Sequence, residues 1–486
     1  MPQKRPPWLT IEGSTSLTFT EDVGKRFEAY GWHVQKVDGY DLSNIASALV
    51  AAKKETKRPS LIIARTHLGY GSPNKQDKAS AHGEPLGAEE VSLVRKRFHW
   101  PEAQFHVPEE ALAHLRRAVE GGQRKEAEWS SLFASYTKEH PDLASQWKAF
   151  HDKNWPEGWE KTLPHFQPGH SPVATRSASG KVLEVVAPKL PALLGGSADL
   201  APSTKTFVKA LGVLKVDPCG RNIHFGIREH AMGGILNGIA LSQALVPFGA
   251  TFLVFSDYMR PSIRLAALMG LQVIYVFTHD SVAVGEDGPT HQPVEHVAAL
   301  RAIPNLVVLR PADANETVFA WRFALSRKQG PTALILTRQK LPVIDQTRFA
   351  SPDGLLRGAY VLAEAPQGTP DSLILATGSE VHLALAAYEE LVKQGVAVRV
   401  VSMPSWEVFE AQDGSYRNEV LPATVRARLA IEAGVSMGWE RYVGPGGRIL
   451  GIERFGASAP GGVVLEKFGF TAEAVIAAVR EMLGRS

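Results

Sequence analysis

The chain has 486 residues, a length that points to about three domains rather than one. Hydrophobic residues make up 44% and charged residues 21%, the balance of a folded globular protein, which argues against a disordered or fibrous chain. With 53 Lys and Arg against 50 Asp and Glu, the net charge of +3 argues against a dedicated nucleic-acid binder and leaves small anionic metabolites as partners.

The single cysteine, Cys219, allows neither an internal disulfide nor a cysteine cage for a metal, and suits a cytoplasmic protein. The basic residues 1–8 have no apolar run behind them, so no signal peptide is expected. Next in chain order, residues 27–32 read as a helix end with a Gly31 stop, and 33–37 as a short strand. Residues 42–54 have helical spacing, and 60–66 form an apolar strand with polar flanks. From 108 to 155 the sequence is helical and charged, with Arg116, Arg117 and Glu120 marking a solvated arm. Residues 162–172, rich in Pro and His, read as a connection between domains.

A second unit follows, with a helix at 182–190 and strands at 192–197 and 222–227. A helix at 229–245 precedes an apolar strand at 272–277, and strand 305–309, helix 315–326 and strand 332–337 repeat the pattern. The uncharged stretch 231–256 holds Asn237 and Gln243 and is broken at Pro247-Phe248-Gly249, so a buried helix and strand are expected there, not a membrane span. Beyond the turn-rich 341–356 come strand 372–376, helix 380–394, strand 396–401 and a closing helix at 472–483. The Gly378-Ser379-Glu380 turn offers a helix start to an anion, a pattern more often only a tight connection. The predicted fold class is α/β: successive three-layer α/β domains with mostly parallel sheets and right-handed crossovers.

Four clusters sit at strand ends or helix starts, where ligands collect in parallel sheets. They are the loop from Gly69-Tyr70-Gly71 to His82-Gly83-Glu84, then Gly195-Gly196-Ser197-Ala198-Asp199-Leu200-Ala201-Pro202-Ser203, then Gly226-Ile227-Arg228-Glu229-His230, then Thr278-His279-Asp280-Ser281 running on to Gly288-Pro289-Thr290-His291-Gln292-Pro293. Plainer readings exist for each. Arg228 and Glu229 could be a surface ion pair, and His279, Asp280 and His291 could ligate zinc, although a third ligand at structural spacing is wanting. The loop 281–293 is harder to set aside, because long ordered loops in compact domains are usually functional.

Taken together, Gly-Ser-Ala-Asp-Leu-Ala-Pro-Ser, Gly-Ile-Arg-Glu-His, Thr-His-Asp-Ser and Gly-Glu-Asp-Gly-Pro-Thr-His-Gln-Pro-Val-Glu resemble the transketolase family, in the family's order, with likeness from about Leu9 to the final helix. The resemblance implies a thiamin-diphosphate-binding fold with a C-terminal α/β domain. Residues 1–145 would be a remnant of the diphosphate-binding domain with a helical linker, 146–345 the pyrimidine-binding domain, and 346–486 the C-terminal domain. It implies reversible transfer of a two-carbon ketol group from a ketose phosphate to an aldose phosphate, in the pentose phosphate pathway or Calvin cycle. It also implies a homodimer with active sites between subunits, with neither nucleic acid nor membrane as partner.

By the same resemblance Glu229 hydrogen-bonds the aminopyrimidine ring of thiamine diphosphate and favours the imino form that removes the thiazolium proton. Its pKa is expected to be raised by apolar surroundings. Phe255 stacks on that ring, and Asp199 is a further cofactor contact. His82 and His291 lie near the substrate oxygens where charge develops, His82 touching the cofactor too. Asp287 meets a sugar hydroxyl, and Arg176, Ser203, His279 and Arg338 bind the substrate phosphate.

The sequence departs from the family in one respect. It has no Gly-Asp-Gly run, and Pro7 stands where an Asn ligand is expected, so the N-terminal half of the diphosphate-binding domain is expected to be missing. Binding of Mg²⁺ or Ca²⁺ would then rest on little more than the Leu9 carbonyl. An unpaired sheet edge and weak cofactor binding are the expected consequences. The rival readings are another thiamine-diphosphate carboligase, such as deoxyxylulose-phosphate synthase or a formaldehyde-using relative, and a cofactor-deficient dimerisation or regulatory module.

Overall fold

A computed structural model describes residues 11–152, 154–366 and 368–485, so the Leu9 and Pro7 expectations lie outside the described residues. The chain divides into two compact units, 1–132 and 133–486, with the division inside the 31-residue helix Glu109–Glu139.

In the first unit, strand β1 (His33–Asp38) pairs in parallel with β2 (Ser60–Arg65). Parallel neighbours need a crossover, and the helix Leu42–Lys54 supplies it. Asp41 caps that helix by accepting from the backbone N–H groups of Ser43 and Asn44. The loop after β2 is ordered by Glu90, which accepts from the Ser72 hydroxyl and from the Asn74 backbone and side chain. Those donors, the Ser72 hydroxyl first, hold its carboxyl down at about 2.

The second unit contains two sheets. The first is six-stranded and parallel, in the order β4-β3-β5-β6-β8-β7. Its strands are β3 (Leu193–Ser197), β4 (Asn222–His224), β5 (Val246–Phe252), β6 (Ile274–Thr278), β7 (Val307–Leu309) and β8 (Thr332–Leu336). Period-2 alternation divides its side chains between two cores. Phe248, Ile274, Val276 and Leu334 face the layer of helices Thr175–Val186 and Ala314–Ser326, where Trp321 is wholly buried. Tyr275, Phe277 and Ile335 face helices Glu229–Leu241 and Ser256–Leu268. Burial on both faces explains why these strands read as continuous apolar runs.

The second sheet runs β13-β12-β10-β11-β9, with β9 (Tyr360–Ala363) antiparallel to β11 (Val398–Ser402). β10 (Ser372–Ala376), β12 (Ala427–Ile431) and β13 (Arg448–Leu450) complete it. The mostly parallel α/β expectation therefore holds.

Several local expectations need correction. The helix expected at 182–190 is Thr175–Val186, which places Arg176 in a first helical turn. β4 ends at His224, not 227, because Gly226 takes a positive φ of 69°. Pro247 does not break the chain but lies within β5. The 378–380 turn is the tight connection that the sequence favoured, with no room for an anion. Glu380 is buried there against Arg310, and a Cβ on Gly378 would lie 2.6 Å from that guanidinium carbon.

Candidate active site

The carboxyl ends of the six parallel strands carry the candidate residues. Asp199 follows β3, and Phe252 ends β5 with Phe255 one short 3₁₀ turn later. His279 follows β6 and Arg338 follows β8. The chain goes from β3 out to β4 and back to β5 on the other side of β3, which places Asp199 and Phe252 beside the crevice such a reversal leaves.

Arg176, His279 and Arg338 converge. The Arg176 Nη1 donates to the Ser203 carbonyl at 3.0 Å and lies 3.5 Å from His279 Nε2. Nδ1 of His279 is 2.8 Å from the Thr278 hydroxyl. His279 is a non-glycine residue with φ of 64°, and Asp199 has φ of 62°, strain of the kind that collects at functional sites. Burial, then the charges of Arg176, Arg338 and His291, push the His279 imidazole down to about 3, so it is neutral at neutral pH. Burial and Arg338 likewise lower Arg176, whose Nε is buried with no hydrogen-bond partner. Among the described residues no carboxylate pairs with Arg176 or Arg338 within 4.0 Å. Two guanidinium groups held together without a counter-charge make a site for an anion.

An aromatic wall adjoins this cluster. Phe252 lies against His279 with centroids 3.7 Å apart, and against Phe255 at 5.7 Å with planes 14° apart. Phe255 continues to Tyr258 at 6.0 Å, and His291 meets Phe255 edge-on at 5.6 Å. Phe252 and Tyr258 were not among the expected site residues. Their i, i+3, i+6 spacing with Phe255 was the available signal, since a turn followed by a helix puts such positions on one face.

Glu229 is the first residue of the helix Glu229–Leu241, half-buried. The surface-pair reading fails, because Arg228 donates instead to the Phe225 carbonyl at 3.0 Å. The apolar enclosure expected of Glu229 is also absent from this chain alone, as its neighbour Ile227 is 78% exposed. The Ser262 hydroxyl lies 3.1 Å from His230 Nδ1 and donates to the His230 carbonyl, tying this helix start to the helix that follows Phe255.

Asp287 is exposed on the loop 281–293, and His291 is half-buried with Nδ1 3.0 Å from the Thr290 hydroxyl. A zinc site through Asp280 is ruled out, because that carboxylate is buried in a two-point pair with Arg310 at 2.7 and 3.2 Å. His82 lies in the first unit, exposed, just after the 3₁₀ helix Ala79–Ala81. The residues present suit the ring end of the expected cofactor: a half-buried carboxyl at a helix start and a flat aromatic face.

Comparison with known proteins decides the family. The pattern described as the transketolase pyrimidine binding domain matches residues 171–343, the transketolase thiamine diphosphate binding domain matches 8–156, and the transketolase-like C-terminal domain matches 358–471. A transketolase from Geobacillus stearothermophilus is 53% identical over 481 residues, covering 98% of this chain and 72% of that protein. The chain belongs to the transketolase family. Its fold matches that of a Pichia stipitis transketolase mutant in complex with xylulose-5-phosphate, with a TM-score of 0.92 and 38% identity over 98% of this chain and 71% of that one. A transketolase from Leishmania mexicana gives 0.91 at 42% identity, covering 99% and 70%. Transketolases are transferases, and family membership makes thiamine diphosphate with a divalent metal the implied cofactor. The expectation that half of the diphosphate-binding domain is missing finds no support in the match at 8–156. No helix among the described residues is long and apolar enough to cross a membrane.

Proposed function

We propose that this transketolase moves a two-carbon ketol group between sugar phosphates through the roles set out here. The observation that carries the reading is the Arg176, His279 and Arg338 cluster, cationic and with no paired carboxylate among the described residues, beside an aromatic wall. Arg176, Arg338, neutral His279 and Ser203 hold the phosphate dianion of the substrate. His291 and Asp287 bind sugar hydroxyls, His291 exchanging a proton with the oxygen where charge develops. His82 is a second imidazole proposed for the substrate oxygens. Glu229 would hold the aminopyrimidine by its ring nitrogen, with Phe255 against the ring face and Asp199 as a further contact. When bound, thiamine diphosphate supplies the electron sink that lets the bond beside a ketose carbonyl break.

The domains are assigned as 1–145, 146–345 and 346–486. A homodimer with shared active sites is part of the same reading. Ile227, Ile235, Leu241, Tyr258 and Leu268 stand exposed on and around the helices that carry Glu229 and follow Phe255, an apolar surface that a second copy would cover. Because the sequence contains no Gly-Asp-Gly run, titration with thiamine diphosphate and Mg²⁺ or Ca²⁺ measures how firmly residues 1–486 hold the charged end of the cofactor. The test of function is turnover of xylulose 5-phosphate with ribose 5-phosphate against pyruvate with glyceraldehyde 3-phosphate. Turnover of the first pair is expected, and turnover of the second alone would refute the reading.

A further inference from the structure

The loop 281–293 is held by the last domain as well as by its own, in which His291 meets Phe255. Gln292, 2% exposed, donates through Nε2 to the Gly285 carbonyl at 2.7 Å and to the Ala457 carbonyl at 2.9 Å. The Ser458 hydroxyl donates to the Glu286 carbonyl at 2.6 Å, next to Asp287. Behind the loop, the backbone N–H of Val435 donates to the Val294 carbonyl at 2.9 Å. The two segments approach so closely that side chains are shut out. A Cβ on Gly456 would lie 1.7 Å from Gln292 Oε1, and one on Gly461 2.3 Å from the Ala283 carbonyl oxygen. At the loop's start Arg310 links the same two domains, gripping Asp280 on one side and Glu380 and the Thr377 carbonyl on the other.

We propose that the last domain sets substrate affinity. Residues 456–461 form a rigid bed for the loop 281–293 and so fix Asp287 and His291 where sugar hydroxyls arrive. Gln292 and Ser458 are positioning residues that touch no substrate. The inference rests on the reading of Asp287 and His291 as sugar contacts. It assigns the third domain a part in recognition, although that domain supplies none of the groups proposed to meet the reaction. The physical ground is that a loop with glycines at φ of 87° and 77° has little stiffness of its own. A site displaced by even a fraction of an ångström loses binding, so stiffness must come from outside the loop.

The test uses the full chain with Ser458→Ala, Ser458→Thr and Gln292→Ala, read in two ways. Amide hydrogen exchange over residues 282–292 reports the bed, and KM and kcat for a ketose phosphate at saturating cofactor report its consequence. Loss of one neutral hydrogen bond in Ser458→Ala should raise loop exchange and KM each about five-fold, with kcat within about two-fold. Ser458→Thr, which keeps the hydroxyl, should restore both, and Gln292→Ala, which removes two bonds, should raise both about thirty-fold. Unchanged exchange in both alanine variants overturns the bed. Faster exchange with unchanged KM overturns its role in affinity. Should the parent chain transfer no ketol group, the site assignment fails, and exchange alone still decides whether the last domain stiffens the loop.

Discussion

Glu316 offers a test of how the middle and last domains are joined. It is wholly buried on the helix Ala314–Ser326 and accepts from the Tyr360 hydroxyl at 2.8 Å, the Ser402 hydroxyl at 2.6 Å and the Ala312 N–H at 2.7 Å. Burial pushes its carboxyl up from 4.5 to about 7, with buried Asp313 adding repulsion and the donors opposing. A carboxyl raised on folding binds its proton more tightly in the folded state, so its stabilisation is complete below about pH 4.5 and is lost as pH rises through about 7. A shift of roughly 2.5 units at about 1.36 kcal/mol per unit makes that loss about 3 kcal/mol. His279 runs the other way, its lowered pKa giving stability that is lost as pH falls from its ordinary value towards about 3, so the parent chain's net slope mixes these with other shifted groups such as Glu380 and His382. Glu316→Gln separates them. Its amide group can face the two hydroxyls while its carbonyl accepts from Ala312. Urea unfolding of parent and variant at about pH 5 and pH 7.5 should show the variant gaining about 2 kcal/mol on the parent between those values, most of the full loss. A difference between the two chains that stays flat with pH, or falls as pH rises, would refute the burial argument.

Arg338→Ala should raise KM for phosphorylated substrates by about 30- to 150-fold, the worth of a charge-assisted bond of about 2–3 kcal/mol, and leave a non-phosphorylated ketol donor unaffected. Steady-state kinetics with both donors checks this. Arg310→Ala leaves Asp280 and Glu380 buried without their partner, and should lower stability by about 3–5 kcal/mol in chemical unfolding, with little change for an exposed control such as Arg348→Ala. In ¹⁵N spectra the His279 imidazole should stay neutral down to at least about pH 5, and inorganic phosphate should raise its pKa by supplying the missing negative charge.

Much of the fold was legible because periodicity and burial coincide. The helix Leu42–Lys54 has a half-buried apolar stripe of Ile45, Ala51 and Ala52 around buried Ala48 and a capping Asp, and β10 is an apolar run covered on both faces. The stretch from 410 to 471 gave no such signal. β12 begins with Ala427 and Arg428, which are only half-buried, and β13 is three residues long with Arg448 exposed. The helix holding Arg176 was placed too late because Ser177, Ser179 and Gly180 break the apolar pattern, although Ser179 is buried to accept from the Trp321 indole at 2.8 Å. Motif residues at strand ends could be found from sequence. The ties of Arg310 to Glu380, Arg301 to Glu432 and Glu316 to Ser402 could not, since they join residues 70 to 131 apart and no local pattern marks them.

The most direct measurement is single-substrate-pair turnover of xylulose 5-phosphate with ribose 5-phosphate by the full chain with thiamine diphosphate and Mg²⁺, set beside Glu229→Gln. The account predicts sedoheptulose 7-phosphate formation by the parent chain and its loss in the variant with an unchanged fold. Equal turnover in both would contradict it.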